Sequence, residues 1–178
     1  AGYATMDFAL MCNKKVTSLA EAKGKKMRTT GAYGRWAKAI GGVPVSMTSG
    51  DMIEAIGRGQ IDCIVGPIAW VKRYPILDSV KYVLDYPFGT FPLVGLLVMN
   101  LDAWKEHTPA QKAAVIKASP GAIARVMVDG YMADANKARA AVRARKGATL
   151  VRGGSDFDDV LRQHRKKDLA VVAARAKK

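Results

Sequence analysis

Between residues 23 and 67 the spacing of apolar and polar positions changes several times: KGKKMRTTGAYGRWAKAIGGVPVSMTSGDMIEAIGRGQIDCIVGP. Residues 26–29 read as a short strand ending near an arginine. Residues 33–40 suit a helix, and Gly41-Gly42 supplies its left-handed stop. Residues 43–47 form a second strand pattern. Ser49 is placed to cap a helix through Met52, Ile53 and Ile56 that ends at Gly59. A continuous apolar run over 61–65, closed by Pro67, gives a third strand. Strands alternating with helices in this way predict a parallel sheet with helices on its faces. Ligands of open α/β sheets sit beyond the carboxyl ends of the strands. Those ends carry Arg28, residues 47–49, and Gly66 with Pro67. Three strand ends and one arginine make a small-anion site, for binding before catalysis.

Outside this block, Ser18-Leu-Ala-Glu21 has the spacing of a capping box, with Gly24 closing the turn. A helical piece is expected near Trp70 and strands over 80–84 and 93–99, the apolar run 92–99 reading as one buried strand. Thr108-Pro109-Ala110-Gln111 is a strong helix start. The helical pattern then continues to about Arg145, with Pro120-Gly121 marking a kink or a break. Residues 148–152 suit a last strand, and Ser155 a cap on the terminal helix.

The chain has 178 residues, 49% hydrophobic and 25% charged, which is ordinary globular composition. No apolar run approaches the ~18 residues of a membrane-spanning helix. The net charge of +14 sits largely late, from Arg139 and Arg143 through Arg162, Arg165, Lys166 and Lys167 to Lys178. Alternating with alanines, these cations read as a solvated helix face, with a nucleic-acid surface as the competing reading. Two cysteines and two histidines are too few for a zinc site. Cys12 and Cys63 leave a single disulfide open, while Cys63 within an apolar strand reads equally as a buried small hydrophobe. There is no nucleophile–base pair and no phosphate loop, so an enzymatic reading has little support. The chain starts Ala-Gly-Tyr with no basic or apolar leader pattern, which reads as a processed terminus or the edge of a fragment.

Several motifs follow one another in a fixed order. They are KGKKMR at 23–28, GGVPV at 41–45, GDMIEAI followed by GQID at 50–62, KYV at 81–83, VMNLDAW at 98–104 and TPAQKAAV at 108–115. As a set they resemble the solute-receptor subunits of tripartite ATP-independent periplasmic (TRAP) transporters, the DctP-like substrate-binding proteins. The resemblance covers nearly the whole chain. It implies an α/β, periplasmic-binding-protein-like fold of two lobes. Hinge strands and a long helix cross between the lobes, and the ligand closes between them. Residues 6–93 and 134–178 would be the second lobe and 94–133 part of the first, with the rest of the first lobe absent from the chain. The implied function is a periplasmic receptor that binds a small organic carboxylate and delivers it to a TRAP membrane permease, with no cofactor, no nucleic-acid partner and no membrane insertion.

In such receptors an arginine at the place of Arg28 holds the substrate carboxylate, against a plain structural ion pair as the residue-level alternative. Ser49 would add a hydroxyl to the anion or simply cap its helix. Gly66 stands where many relatives carry an asparagine; either a larger ligand group fills that space, or backbone and Trp70 take over the contact. Trp70, Tyr33 and Trp36 are candidate pocket aromatics whose alternative is core packing. Phe8 stands where some relatives place a polar or basic contact; with Gly66 it points to a monocarboxylate with an apolar or aromatic body. Asp62 belongs to the shared turn and reads as structural. The alternative from another class is the ligand-sensing domain of a transcription regulator, which has a similar two-lobed plan.

Overall fold

The computed structural model describes residues 2–31, 33–86, 88, 90–94 and 98–176. Its elements are β1 (Gly2–Cys12), α1 (Leu19–Ala22), β2 (Lys26–Thr29), α2 (Tyr33–Ala39), β3 (Val43–Ser46), α3 (Met52–Gly57), β4 (Cys63–Pro67), α4 (Trp70–Arg73), β5 (Tyr82–Leu84), β6 (Thr90–Val94), α5 (Leu101–Glu106), α6 (Pro109–Ala144), β7 (Thr149–Val151) and α7 (Asp156–Ala176).

A mixed sheet runs β3-β2-β4-β1-β5-β7, with β6 beside β1. The βαβαβ block forms as expected: β2 is parallel to both β3 and β4, and β5 is parallel to β7. The purely parallel sheet does not. The centre is β1, a strand the sequence reading did not assign, and it runs antiparallel to β4, β5 and β6. Its residues 8–12 pair with β4 while its beginning pairs with β6, and the register shifts between Ala4 and Asp7.

Successive residues of a strand face opposite sides of a sheet. Ala9 and Met11 therefore join Ile64, Ile76, Val83, Ala138 and Val142 in one core. Phe8, Leu10 and Cys12 join Met27, Trp36, Ile40 and Phe157 in the other. Cys12 lies opposite Cys63 in the β1–β4 register, and the two form a disulfide. The buried-thiol reading of Cys63 is thereby corrected: it is buried, and bonded.

Local signals explain most boundaries. Ser18 Oγ accepts from Glu21 N at 3.3 Å, while the Glu21 carboxylate accepts from Thr17. Thr108 and Gln111 complete a reciprocal capping box at the start of α6. Gly41 and Gly59 leave their helices with φ of 86° and 71°, a backbone that favours glycine. Asp62 Oδ2 accepts from Lys26 N at 2.9 Å and so fastens β2 to the start of β4, a structural role as read.

Two expected boundaries move. The helix α6 does not break at Pro120, which lies inside one continuous helix of 36 residues. Proline removes one main-chain donor, and the site is exposed, where water serves the freed carbonyl. The strand expected over 92–99 begins earlier, at Thr90, and its described part ends at Val94; residues 95–97 lie outside the described set. Val98 and Met99 are exposed coil and not buried strand.

Some of the late cations are structural anchors. Arg139 grips Asp85 through Nε and Nη2 at 3.0–3.1 Å, tying α6 to the end of β5, and Arg145 pairs with Asp78. Arg143, Arg152, Arg162, Arg165, Lys166 and Lys167 are exposed, as a solvated face requires.

Candidate functional site

The site grows from the carboxyl ends of β2, β3 and β4. Arg28 pairs with Ile64 across the β2–β4 ladder, so both side chains leave the same face of the sheet. Gly66 follows two residues on, opposite Ala9 of β1, and shares that face. Arg28 is only 3% exposed. Its Nε donates to the Met47 carbonyl at 3.1 Å, on the loop that leaves β3. Its Cζ stands 5.1 Å from the ring centroid of Trp70, in cation–π contact. Burial pushes the Arg28 pKa down, with Tyr74 opposing that shift. A guanidinium nonetheless keeps its charge in proteins.

Among the described residues no carboxylate pairs with Arg28. No described hydrogen bond occupies its Nη1 or Nη2. The structural ion pair weighed for this residue is therefore absent from the described residues. What remains is a planar two-nitrogen fork, held by one edge and stacked on one face, with its far end unengaged. That geometry suits a carboxylate or a similar two-oxygen anion.

Trp70 opens α4 and turns its six-membered ring onto the backbone of Gly66. A Cβ built on Gly66 would lie 2.5 Å from Cζ3 and 2.7 Å from Cε3 of that ring. The indole thus fills the room in which any larger residue would place its side chain. Tyr74 meets it edge-on at 5.8 Å, a contact the sequence reading missed although its i, i+4 spacing from Trp70 on a helical piece was visible. On its outer side the indole borders a cleft of about 340 Å³ that reaches Tyr131 and Asp134 of α6.

Ser49 sits half-buried in the turn after Met47, near the Arg28 end of the sheet. It does not cap α3, as had been expected. Asp51 is the N-cap residue, and Thr48 Oγ closes the turn on Asp51 Oδ2 at 2.6 Å. With Thr48 and Asp51 satisfying each other, the Ser49 hydroxyl has no described partner.

The structure does not bring Phe8 to Arg28. Phe8 pairs with Pro67 and so projects from the opposite face of the sheet, where its ring stacks on Tyr33 at 4.2 Å and 1°. Trp36 is buried in the same core, edge-on to Phe88 at 4.4 Å, and is packing. His107 donates from Nδ1 to the Ala103 carbonyl at 2.7 Å, and His164 lies 3.4 Å from Asp168. Among the described residues no group of His, Cys, Asp and Glu is placed to hold a metal ion. No helix among them is long and apolar enough to cross a membrane.

The aromatic face carries its own pH test. Burial pushes the Tyr33 phenol up to about 12. Burial, with Asp158 accepting from its hydroxyl, does the same to Tyr86, also about 12. A phenol ionises near pH ~10 in an unfolded chain. The folded state therefore holds the proton longer, and stability is lost as pH rises from ~10 toward 12. In an ultraviolet titration, Tyr33 and Tyr86 are expected to ionise late, together with unfolding. Tyr33→Phe is expected to remove one late phenol and soften the alkaline loss. A titration with every tyrosine near pH ~10 in the folded protein would contradict the burial of these rings.

The sequence profile of DctP, bacterial extracellular solute-binding protein family 7, matches residues 3–170. None of the functionally curated proteins matches the chain. Many solved structures do. A TRAP periplasmic solute-binding protein from Bordetella bronchiseptica, solved with (R)- and (S)-mandelate, superposes with a TM-score of 0.78 at 19% identity, over 99% of this chain and 57% of its own. One from Desulfovibrio salexigens with orotic acid gives 0.75 at 19%, over 99% and 56%. One from Pseudomonas putida F1 with D-glucuronate gives 0.69 at 24%, over 99% and 57%. At these identities the likeness is one of fold. The chain spans a little over half the length of these proteins.

Proposed function

Since the chain belongs to the DctP family of bacterial extracellular solute-binding proteins, we propose that it is the anion-holding part of a periplasmic receptor that clamps a small organic carboxylate and passes it to a TRAP membrane permease. The observation that carries this reading is Arg28: a buried guanidinium with no described counter-ion and an open Nη1–Nη2 fork. An unpaired buried charge is costly unless something completes it. A ligand carboxylate does so, and in a closed cleft the pair is poorly screened. Ser49 offers a hydroxyl from the adjoining loop, and Gly66 with Trp70 forms the floor. Phe8 stays outside this set as packing for Tyr33. The structural neighbours named above were solved with acids, which agrees with the reading. So does the disulfide, since such bonds persist in oxidising compartments such as the periplasm.

We also propose the division into a second lobe, 6–93 and 134–178, and a piece of the first, 94–133. Up to Asp7 β1 pairs with β6 and from Phe8 it pairs with β4, and the described part of β6 reaches Val94. Val98, Met99, Leu101, Ile116 and Met132 are exposed large hydrophobics within 94–133. They are a natural seat for the part of the relatives' length that this chain does not span.

Thermal unfolding of the purified protein with a panel of small carboxylates and their neutral amides tests the function. A carboxylate at a hundred times its Kd is expected to add about 2.7 kcal/mol of stability, and its amide none. A panel in which amides stabilise equally, or no acid stabilises, would overturn the reading.

A further inference from the structure

A second polar cleft lies on the other side of the sheet from Arg28. Side chains alternate along β2, so Met27 and Thr29 leave the face opposite Arg28 and lie toward α2. Thr29 is 3% exposed, and its hydroxyl has no described partner. A buried hydroxyl without a hydrogen bond is unfavourable. Ser46 stands opposite Thr29 in the β2–β3 register and shares its face. A cleft of about 300 Å³ opens beside this pair, and Thr30, Gly34, Arg35 and Lys38 also line it.

Gly34 keeps this cleft open. Its φ is not positive. A Cβ there would stand 3.5 Å from Thr29 Oγ1 and 3.8 Å from Pro44 Cβ, which are ordinary contacts. Neither backbone nor packing therefore requires a glycine in the first turn of α2, where glycine weakens a helix. A Cβ would instead fill the space between Thr29 and Pro44. A local preference broken without structural gain points to function.

Among the described residues the lining offers hydroxyls and cations and no carboxylate. Arg35 gives Nε to Asp168 at 3.0 Å, and Asp168 also faces His164 of α7. The Nη1 and Nη2 of Arg35 and the Lys38 ammonium have no described partner. Three residues apart on one helix, these two like charges repel, and a bound anion offsets that repulsion. The Tyr33 and Gly34 amides already donate to the Thr30 and Gly31 carbonyls, so the available donors are side chains. They come from the strands on one side and from α2 on the other. Four oxygens in a tetrahedron can meet both sets, whereas a planar carboxylate meets one.

We propose that this cleft is a second anion site, which takes a small tetrahedral oxyanion of the phosphate or sulfate class between the hydroxyls of Thr29 and Ser46 and the cations of α2.

The test is an NMR titration of inorganic phosphate into the nitrogen-15-labelled protein at fixed ionic strength, with chloride as the control. Phosphate is expected to give saturable shifts at the amides of Thr29, Thr30 and Ser46, and sulfate to compete. Gly34→Ala should fold at least as stably as the wild type and lose most of the phosphate affinity. Thr29→Val keeps the side-chain shape without the hydroxyl and should weaken phosphate by about tenfold, as for one hydrogen bond to a charged group. Lys38→Gln should weaken binding and flatten its dependence on salt. Arg28→Met should bind phosphate like the wild type. Shifts no larger than those chloride gives would overturn the proposal. So would phosphate affinity left unchanged by Gly34→Ala or by a folded Thr29→Val. Loss of phosphate binding in Arg28→Met would also overturn it, since the anion would then sit on the carboxylate site.

Discussion

Arg28→Met is expected to leave a protein that folds at least as well as the wild type and no longer holds a carboxylate. In the free protein the guanidinium is almost fully buried, and one carbonyl and one indole face serve it. The downward shift of its pKa reflects what burial takes from the charged form. Replacing a buried charge by an apolar chain of similar length is commonly neutral or stabilising. Binding moves the other way. Losing one partner of a buried, hydrogen-bonded ion pair costs about 2–5 kcal/mol, or roughly 30- to several thousand-fold in Kd. Arg28→Lys restores the charge without the planar fork and is expected to recover only part of that loss. Calorimetry with thermal unfolding on the same samples checks both halves. A methionine variant that binds normally would remove Arg28 from the site, and one that fails to fold would make it a structural residue.

Breaking the Cys12–Cys63 bond is expected to be the most damaging change to stability alone. The two residues are 51 apart in sequence and face each other where β1 meets β4. In the chain-entropy treatment, closing a loop of that length contributes about 4 kcal/mol. For a chain of this size that corresponds to a fall of roughly 8–16 °C in Tm. The loop it closes contains β2, α2, β3 and α3, so its loss loosens the elements that carry Arg28 and Ser49. Urea unfolding of Cys12→Ala/Cys63→Ala, and of the wild type with and without reductant, measures the effect. Superimposable wild-type curves in the two conditions would contradict it.

What was legible in the sequence follows from where residues sit. The block from 23 to 67 alternates between strand and helix signals because each of its strands is short and punctuated by glycine turns such as Gly41 and Gly59. Arg28 stood out because it falls near the carboxyl end of a short strand, and because the resemblance places a carboxylate-holding arginine there. The central strand was invisible for the opposite reason. Residues 8–12 of β1 are buried on both faces, Phe8 and Leu10 to one core and Ala9 and Met11 to the other, so no period of two marks them. Missing β1 also hid the placement of Phe8, since its face is set by the antiparallel register with Pro67. The apolar run after Phe91 read as one buried strand through Met99, yet Val98 and Met99 are exposed coil. Ser49 looked like a cap because it precedes a helix, yet Thr48 and Asp51 pair first. The absence of a side chain at Gly66 was plain in the sequence; that an indole four residues on fills the space is a fact of packing.

The central claim is that Arg28 receives a carboxylate end-on. A crystal structure of the protein with a tightly bound acid tests it most directly. The account predicts both carboxylate oxygens about 2.7–2.9 Å from Nη1 and Nη2, with Nε still on the Met47 carbonyl and the body of the acid beside Trp70. A carboxylate held elsewhere, with only water at the Arg28 fork, would contradict it.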